Sequence, residues 1–185
     1  MIKKPNPILF GRRTNEIRNK EKLTDFYPTP ENSVEEILEH IKLIEPILEP
    51  CNGLGNISKV VKKYYKDIKT FDINKEAIAD EYLDFLEYNG DKFNTIITNT
   101  PFKYNYNGEF IKKSLDCIND NGIIVMLLKL VYLESNKRFE FFKEFPPKFI
   151  YVHSKRLNFY GGTGICYAWF VWQKGYKGDT ILKII

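Results

Sequence analysis

The sequence predicts an α/β fold of the Rossmann-like kind, a mostly parallel sheet with helices on both faces and an antiparallel C-terminal strand. Three observations carry this. Apolar runs of strand length alternate with segments whose apolar residues recur at helical spacing, as in a chain that crosses back over a parallel sheet. Those runs are apolar at nearly every position, which suits strands covered on both faces. The final two strand candidates are joined by a glycine-bearing loop with no helix, so they pair antiparallel. At 185 residues the chain has the size of one domain with a substantial core. Residues 1–24 read as a basic extended arm and residues 25–185 as the domain.

The arm contains Pro5, Pro7 and Gly11, shows no periodicity, and gives way to an extended stretch with Pro28 and Pro30. A helix then opens at Glu31-Asn32-Ser33 and carries Val34, Ile37, Leu38, Ile41 and Leu43 as its apolar stripe. Residues 47–49 form a short strand that stops at Pro50 and a glycine turn. A basic helix covers 57–65 and a second strand 68–71. Asp72-Ile73-Asn74 ends that strand and leads to a short helix at 75–81, and a third strand ends at Asp84-Phe85. Residues 93–98 are a buried strand, 109–118 a helix closed by Asn119-Asp120-Asn121-Gly122, and 123–128 the most apolar strand. A helix at 134–145 ends at Pro146-Pro147, and strands at 149–153 and 166–172 complete the sheet. Trp169 and Trp172, three apart in a strand, face opposite sides and read as packing residues. Phe139, Phe141, Phe142 and Phe145 read as core and helix cover.

Composition excludes several classes. Hydrophobic residues make up 43% of the chain, so it is neither disordered nor fibrous. No apolar run approaches the roughly 18–20 residues that span a bilayer, and the start lacks the apolar stretch of a signal peptide. Cys51, Cys117 and Cys166 are scattered without paired metal-type spacing, and His40 and His153 are the only histidines, so no metal site is expected. Sparse, odd cysteines fit a reducing cytoplasmic setting. The net charge of +4 is unevenly spread: residues 1–22 and 148–185 each carry +5, and the segment between them −6. Basic ends around an acidic centre suit a protein whose edges meet a polyanion, nucleic acid above all, while its middle holds another ligand. Ordinary solvated lysines give the same pattern, and charge alone does not separate the two.

In open α/β sheets, ligands bind beyond the carboxyl ends of the strands. The first strand ends in Leu48-Glu49-Pro50-Cys51-Asn52-Gly53-Leu54-Gly55, where two glycines permit a tight turn and close approach of backbone to a ligand. A plain strand-to-helix turn would look the same. Asp72 then stands where a carboxylate accepts both hydroxyls of a ribose, as the equivalent acid does in dinucleotide folds. Asp84 and Phe85 sit where an acid meets an adenine amine and an aromatic covers its ring. A surface acid is the other reading of Asp84.

At Asn99-Thr100-Pro101-Phe102 the chain resembles the DNA N6-adenine methyltransferases, particularly the compact phage-type enzymes. In that family an Asp/Asn-Pro-Pro-Tyr/Phe motif follows the fourth strand. The glycine loop is similar to the family's cofactor loop, and Asp25-Phe26-Tyr27-Pro28-Thr29-Pro30 looks like the segment that closes over the cofactor's methionine end. Downstream, Leu133-Glu134-Ser135 with Arg138, the segment 151–156, and Tyr167-Ala168-Trp169-Phe170-Val171-Trp172 resemble the same subgroup. The similarity spans about residues 25–175 with its motifs in order. It implies a methyltransferase fold and S-adenosyl-L-methionine as cofactor. By the same resemblance Phe26, Tyr27, Thr29, Pro30, Glu49, Cys51, Gly53, Gly55, Asp72, Asp84 and Phe85 hold that cofactor, and Asn99, Thr100, Pro101 and Phe102 carry the chemistry.

That chemistry explains the residue types. The exocyclic amine of adenine is conjugated with its ring and is a poor nucleophile. The Asn99 amide oxygen and a nearby backbone carbonyl accept its two N–H bonds and aim the nitrogen lone pair at a sulfonium methyl group, with no metal or covalent intermediate. Phe102 stacks on a base that has left the helix. Pro101 holds the loop rigid with its carbonyl free. Thr100, where the family usually has the first proline, restores an N–H and loosens φ, which bears on loop geometry and activity.

Nucleic-acid contacts are expected from Lys155 and Arg156 to phosphates, with Phe159 or Tyr160 as the second face of the base sandwich, and from Arg12 and Arg13 in the arm. An ordinary hairpin loop and a basic tail are the alternatives. Nothing in the chain is large enough for an independent target-recognition domain, so target selection falls to short loops or a partner subunit. DNA is favoured over RNA as substrate. A protein glutamine amide as substrate and a non-catalytic nucleic-acid-binding subunit are the competing functions.

Overall fold

The computed structural model describes residues 28–101, 108–159 and 164–185. The arm at 1–24 with Arg12 and Arg13 lies outside them, as do Phe26, Tyr27, Phe102 and Tyr160. In chain order the elements are α1 (Glu31–His40), β1 (Ile47–Glu49), α2 (Asn56–Val61), β2 (Ile68–Asp72), β3 (Glu81–Tyr82), β4 (Phe93–Thr98), α3 (Glu109–Cys117), β5 (Ile118–Lys129), α4 (Asn136–Glu144), β6 (Phe149–Val152), β7 (Tyr167–Gln173) and β8 (Ile181–Ile184). Short 3-10 turns lie at Phe85–Glu87 and Leu130–Leu133.

The strands form one sheet in the order β3-β2-β1-β4-β5-β7-β6-β8. Pairing is parallel from β3 to β5. β7 runs antiparallel to both β5 and β6, and β8 lies parallel to β6. The chain builds outward from β1 to β3, then returns to lay β4 on the other side of β1. That reversal leaves a crevice beyond the carboxyl ends of β1 and β4.

Alternation along the strands divides the core in two. Leu48, Ile96, Ile124, Met126, Phe170 and Trp172 face α3 and α4, which contribute Phe110, Ile111 and Phe141. Ile47, Ile97, Val125, Tyr151 and Trp169 face α1 and α2, which contribute Val34, Ile37, Val60 and Val61. The two tryptophans fall on opposite faces, as their spacing requires. Each also finds an acceptor for its indole N–H: Trp169 donates to Ser33 O and Trp172 to Phe145 O, both at 3.0 Å. No helix among the described residues is long and apolar enough to cross a membrane.

Several elements differ from expectation: α1 stops at His40, short of Ile41 and Leu43, and the third strand ends at Tyr82, with Asp84 and Phe85 opening a 3-10 turn. The helix expected at 57–65 stops at Val61 and continues as turns. Residues 75–81 form no helix; Asn74 caps a turn through Glu76 N–H (3.0 Å), and Glu81 opens the two-residue β3. Asn119-Asp120-Asn121, expected to be a loop, is absorbed into β5. Pairing there jumps from Phe93↔Ile118 to Thr95↔Ile123, a bulge that takes up the extra residues, with Asn121 at φ 62. Gly122 makes this possible, because a Cβ would lie 2.8 Å from Asn119 O and 3.0 Å from Asn94 O. β8 is an additional strand whose four exposed residues give no burial pattern to read.

Candidate functional site

The crevice is a cleft of about 460 Å³ beyond β1, β2 and β4, and residues from six separate segments line it. Its floor is the loop after β1. Gly53 (φ 53) and Gly55 (φ 79) both take left-handed backbone, which a Cβ would strain, and Gly55 N–H closes the turn on Asn52 O at 2.7 Å. Asp72, at the end of β2, braces that loop. Its Oδ2 accepts from Gly53 N–H (2.8 Å) and its Oδ1 from Asn74 N–H (2.7 Å). One carboxylate therefore ties the loop after β1 to the loop after β2. Each of its oxygens keeps a second acceptor position.

Glu49 lies behind the loop, fully buried. Its Oε1 accepts from Thr98 Oγ1 (2.6 Å) and Cys51 N–H (2.9 Å), while Oε2 has no partner. Burial pushes its pKa up to about 8, and the charge of Asp72 adds to the rise. The bonds from Thr98 and Cys51 offset only part of it. At neutral pH the free protein thus holds Glu49 as the neutral acid. Burial, with the Glu49 and Asp72 charges, also raises the pKa of the Cys51 thiol, so it is no nucleophile.

Asn99 stands just beyond β4 on the opposite wall. Its Nδ2 donates to Thr29 Oγ1 at 3.0 Å, and Thr29 is itself buried. This bond ties the segment before α1 to the end of β4 across 70 residues of sequence. Thr100 is buried at 2% exposure and lines the cleft with Pro101. Asp84 is exposed at the rim, where its Oδ1 accepts from Leu86 N–H at 2.9 Å and caps the 3-10 turn. Phe85 is buried behind it with its ring 5.9 Å from Phe110.

The structure brings Thr29, Cys51, Gly53, Asp72, Asp84, Phe85, Asn99, Thr100 and Pro101 around this one cleft. Glu49 and Gly55 support it from behind, and Pro30 lies outside the lining as the N-cap of α1. Several polar residues of the cleft are not marked by the sequence, among them Asn56, Asn74 and Glu76 of the lining, and two matter most. Asn52 lines the cleft at 7% exposure, donates from Nδ2 to Ile78 O, and leaves Oδ1 without a partner. It sits within the glycine motif, so its position was the available signal. Thr98, the partner of Glu49, carries no local signal because the contact spans 49 residues.

Lys155 and Arg156 are exposed beyond β6, as phosphate-contacting residues must be. Phe159 is placed differently from expectation. It is 2% exposed and packs at 4.6 Å between ring centroids on Tyr167, within the core that faces α1. Leu157 and Phe159 fold inward, because burial of two large side chains outweighs their exposure beside solvent. In this conformation Phe159 offers no face to a base. Phe159→Ala should lower stability by about 3–5 kcal/mol in urea denaturation, the range for an emptied core aromatic.

No family model matches the sequence, and no curated protein matches it. Among solved structures the fold is shared at low identity. A candidate class I S-adenosylmethionine-dependent methyltransferase of Listeria monocytogenes superposes with a TM-score of 0.66 at 15% identity, covering 85% of this chain and 65% of that one. The M protein of the type I restriction enzyme EcoKI gives 0.69 at 12%, covering 91% and 50%. A candidate RNA methyltransferase of Pyrococcus horikoshii gives 0.60 at 14%, covering 80% and 86%. The chain thus spans about half the length of the EcoKI subunit and under two thirds of the Listeria protein.

Proposed function

We propose that the protein is an S-adenosylmethionine-dependent methyltransferase acting on the exocyclic N6 amine of adenine in nucleic acid, DNA before RNA. The observation that carries this reading is the convergence on one cleft of a glycine turn, a carboxylate and an asparagine amide. Its volume suits a nucleoside-sized ligand. A buried acceptor in its lining, Asn52 Oδ1, lacks a partner, as a site for a donor-rich ligand would leave it.

In this reading the cofactor supplies an electrophilic methyl group, and the chain positions the acceptor. Asp72 takes the ribose hydroxyls with its remaining acceptor positions while it holds Gly53. Asp84 and Phe85 take the adenine end. Thr29 fixes the Asn99 amide, whose oxygen accepts an N–H of the target amine. The new nitrogen–carbon bond would replace the cofactor's sulfur–carbon bond, leaving a neutral thioether, and the proton the amine loses would pass to solvent. Lys155 and Arg156 contact phosphates. Phe102 remains the proposed stacking partner of the target base, with Arg12 and Arg13 as further phosphate contacts. A partner subunit selecting the target fits the likeness to half of a restriction-enzyme subunit. RNA belongs in any assay because a candidate RNA methyltransferase shares the fold.

Calorimetric titration with S-adenosylmethionine tests the cofactor site, and methyl transfer to nucleic acid tests the reaction. Asp72→Ala should weaken cofactor binding by about tenfold or more, the cost of losing charged hydrogen bonds of about 1.5–3 kcal/mol. Unchanged affinity would remove the ribose assignment.

A further inference from the structure

The two edges of the sheet are built differently. β3, at one edge, is two residues long, and its Glu81 pairs with Lys69 at 2.6 Å, so it offers little to an incoming strand. β8, at the other edge, has none of these guards except one lysine. Ile181, Leu182 and Ile184 are 47%, 56% and 70% exposed. Ile181 N–H donates to Lys148 O and Ile185 N–H to Val152 O, so the backbone groups of Thr180, Leu182 and Ile184 point away from β6. Among the described residues no strand pairs with that side. Leu182 also adjoins the 59%-exposed Phe139 of α4 across an apolar groove, so the open edge is flanked by open apolar surface.

Charge selects what fits. An antiparallel copy of the same strand must pair outward-facing residues with outward-facing residues, which restricts the two-fold axis to a few registers. Centred on Lys183, the register sets lysine against lysine. Centred on Leu182, it sets Lys183 against Ile181. Centred on Ile181, it lets Thr180 and Leu182 exchange backbone bonds and sets Asp179 against Lys183 of the partner subunit, twice by symmetry. Lys183 now rests over the rings of Phe149 (5.1 Å) and Tyr151 (5.6 Å), on the same face as that contact.

We propose that β8 is the interface of a two-fold dimer in which a second copy of this chain extends the sheet antiparallel about Ile181. The test is sedimentation equilibrium of the full chain. The wild type should dimerise in a concentration-dependent way. Lys183→Asp should weaken the dimer by about tenfold or more, since like charges then face each other across the strands. Adding Asp179→Lys to it should restore association to near wild type. Leu182→Pro removes an N–H that β6 does not use, and should leave a folded monomer. A wild type that stays monomeric overturns the proposal, including one whose 181–185 amides are protected from exchange by another part of the chain. So does a dimer that survives both Lys183→Asp and Leu182→Pro, which would place the interface elsewhere.

Discussion

Asn99→Ala should reduce methyl transfer by about 10²–10³-fold or more while cofactor affinity stays within a few-fold. The magnitude is that of deleting one positioned hydrogen-bonding group from a reacting centre. Here the deletion removes two things. The amide oxygen that accepts from the target amine is lost, and so is the Nδ2 bond of 3.0 Å that anchors Thr29 and the segment before α1. Asn99→Asp restores both without the amide. A carboxylate keeps the acceptor and lets Thr29 donate in the opposite sense, so it should recover much of the activity. If alanine and aspartate were equally dead, an acceptor oxygen would not suffice at this position, and the neutral amide with its N–H would be required. Single-turnover rates with saturating cofactor read the step directly.

The second large effect concerns Glu49 and pH. Its pKa in the folded protein, about 8, stands above the ordinary carboxyl value near 4.5. The folded state therefore holds a proton that the unfolded chain has released. The resulting stabilisation is full below about pH 4.5 and is lost as pH rises through about 8. At about 1.4 kcal/mol per pH unit of that window, the loss amounts to several kcal/mol. Glu49→Gln keeps the shape and removes the titration. The variant should match the wild type near pH 4.5 to within about 1 kcal/mol and exceed its stability at pH 9, as read by urea denaturation at both values. A wild type whose stability is flat from pH 6 to 9 would contradict the buried-acid assignment. A cationic cofactor beside this group would draw it into the charged form. Binding near pH 7 should then release a proton, seen as a dependence of calorimetric heat on buffer ionisation, and Glu49→Gln should abolish that dependence.

Much of the fold was legible because its signals are local. β1 and β4 matched residue for residue, since a short apolar run between turn residues has little else to become. The helix 109–118 was also legible, its stripe being Phe110, Ile111 and Ser114. The misread segments are those where tertiary pairing overrides local signals. Asn119-Asp120-Asn121-Gly122 has every mark of a loop, yet pairing with β4 carries it as a bulge. β8 buries nothing, so no alternation marked it. The site follows the same division. Gly53, Gly55, Asp72 and Asn99 stand at strand ends that the sequence displays, whereas Thr98–Glu49 and Asn99–Thr29 are pairings that exist only once β1, β4 and the segment before α1 are side by side. Phe159 was misjudged because an aromatic in a basic, glycine-bearing loop reads as a contact residue. Its burial depends on Tyr167, which lies on the next strand.

The most direct measurement is methyl transfer from labelled S-adenosylmethionine to unmethylated duplex DNA, single-stranded DNA and RNA, each digested to nucleosides and resolved by mass spectrometry. The account predicts label in N6-methyladenosine of the deoxy series, lost in Asn99→Ala. Label in a different base or position, or no label in any substrate from a protein that binds no cofactor, would contradict it.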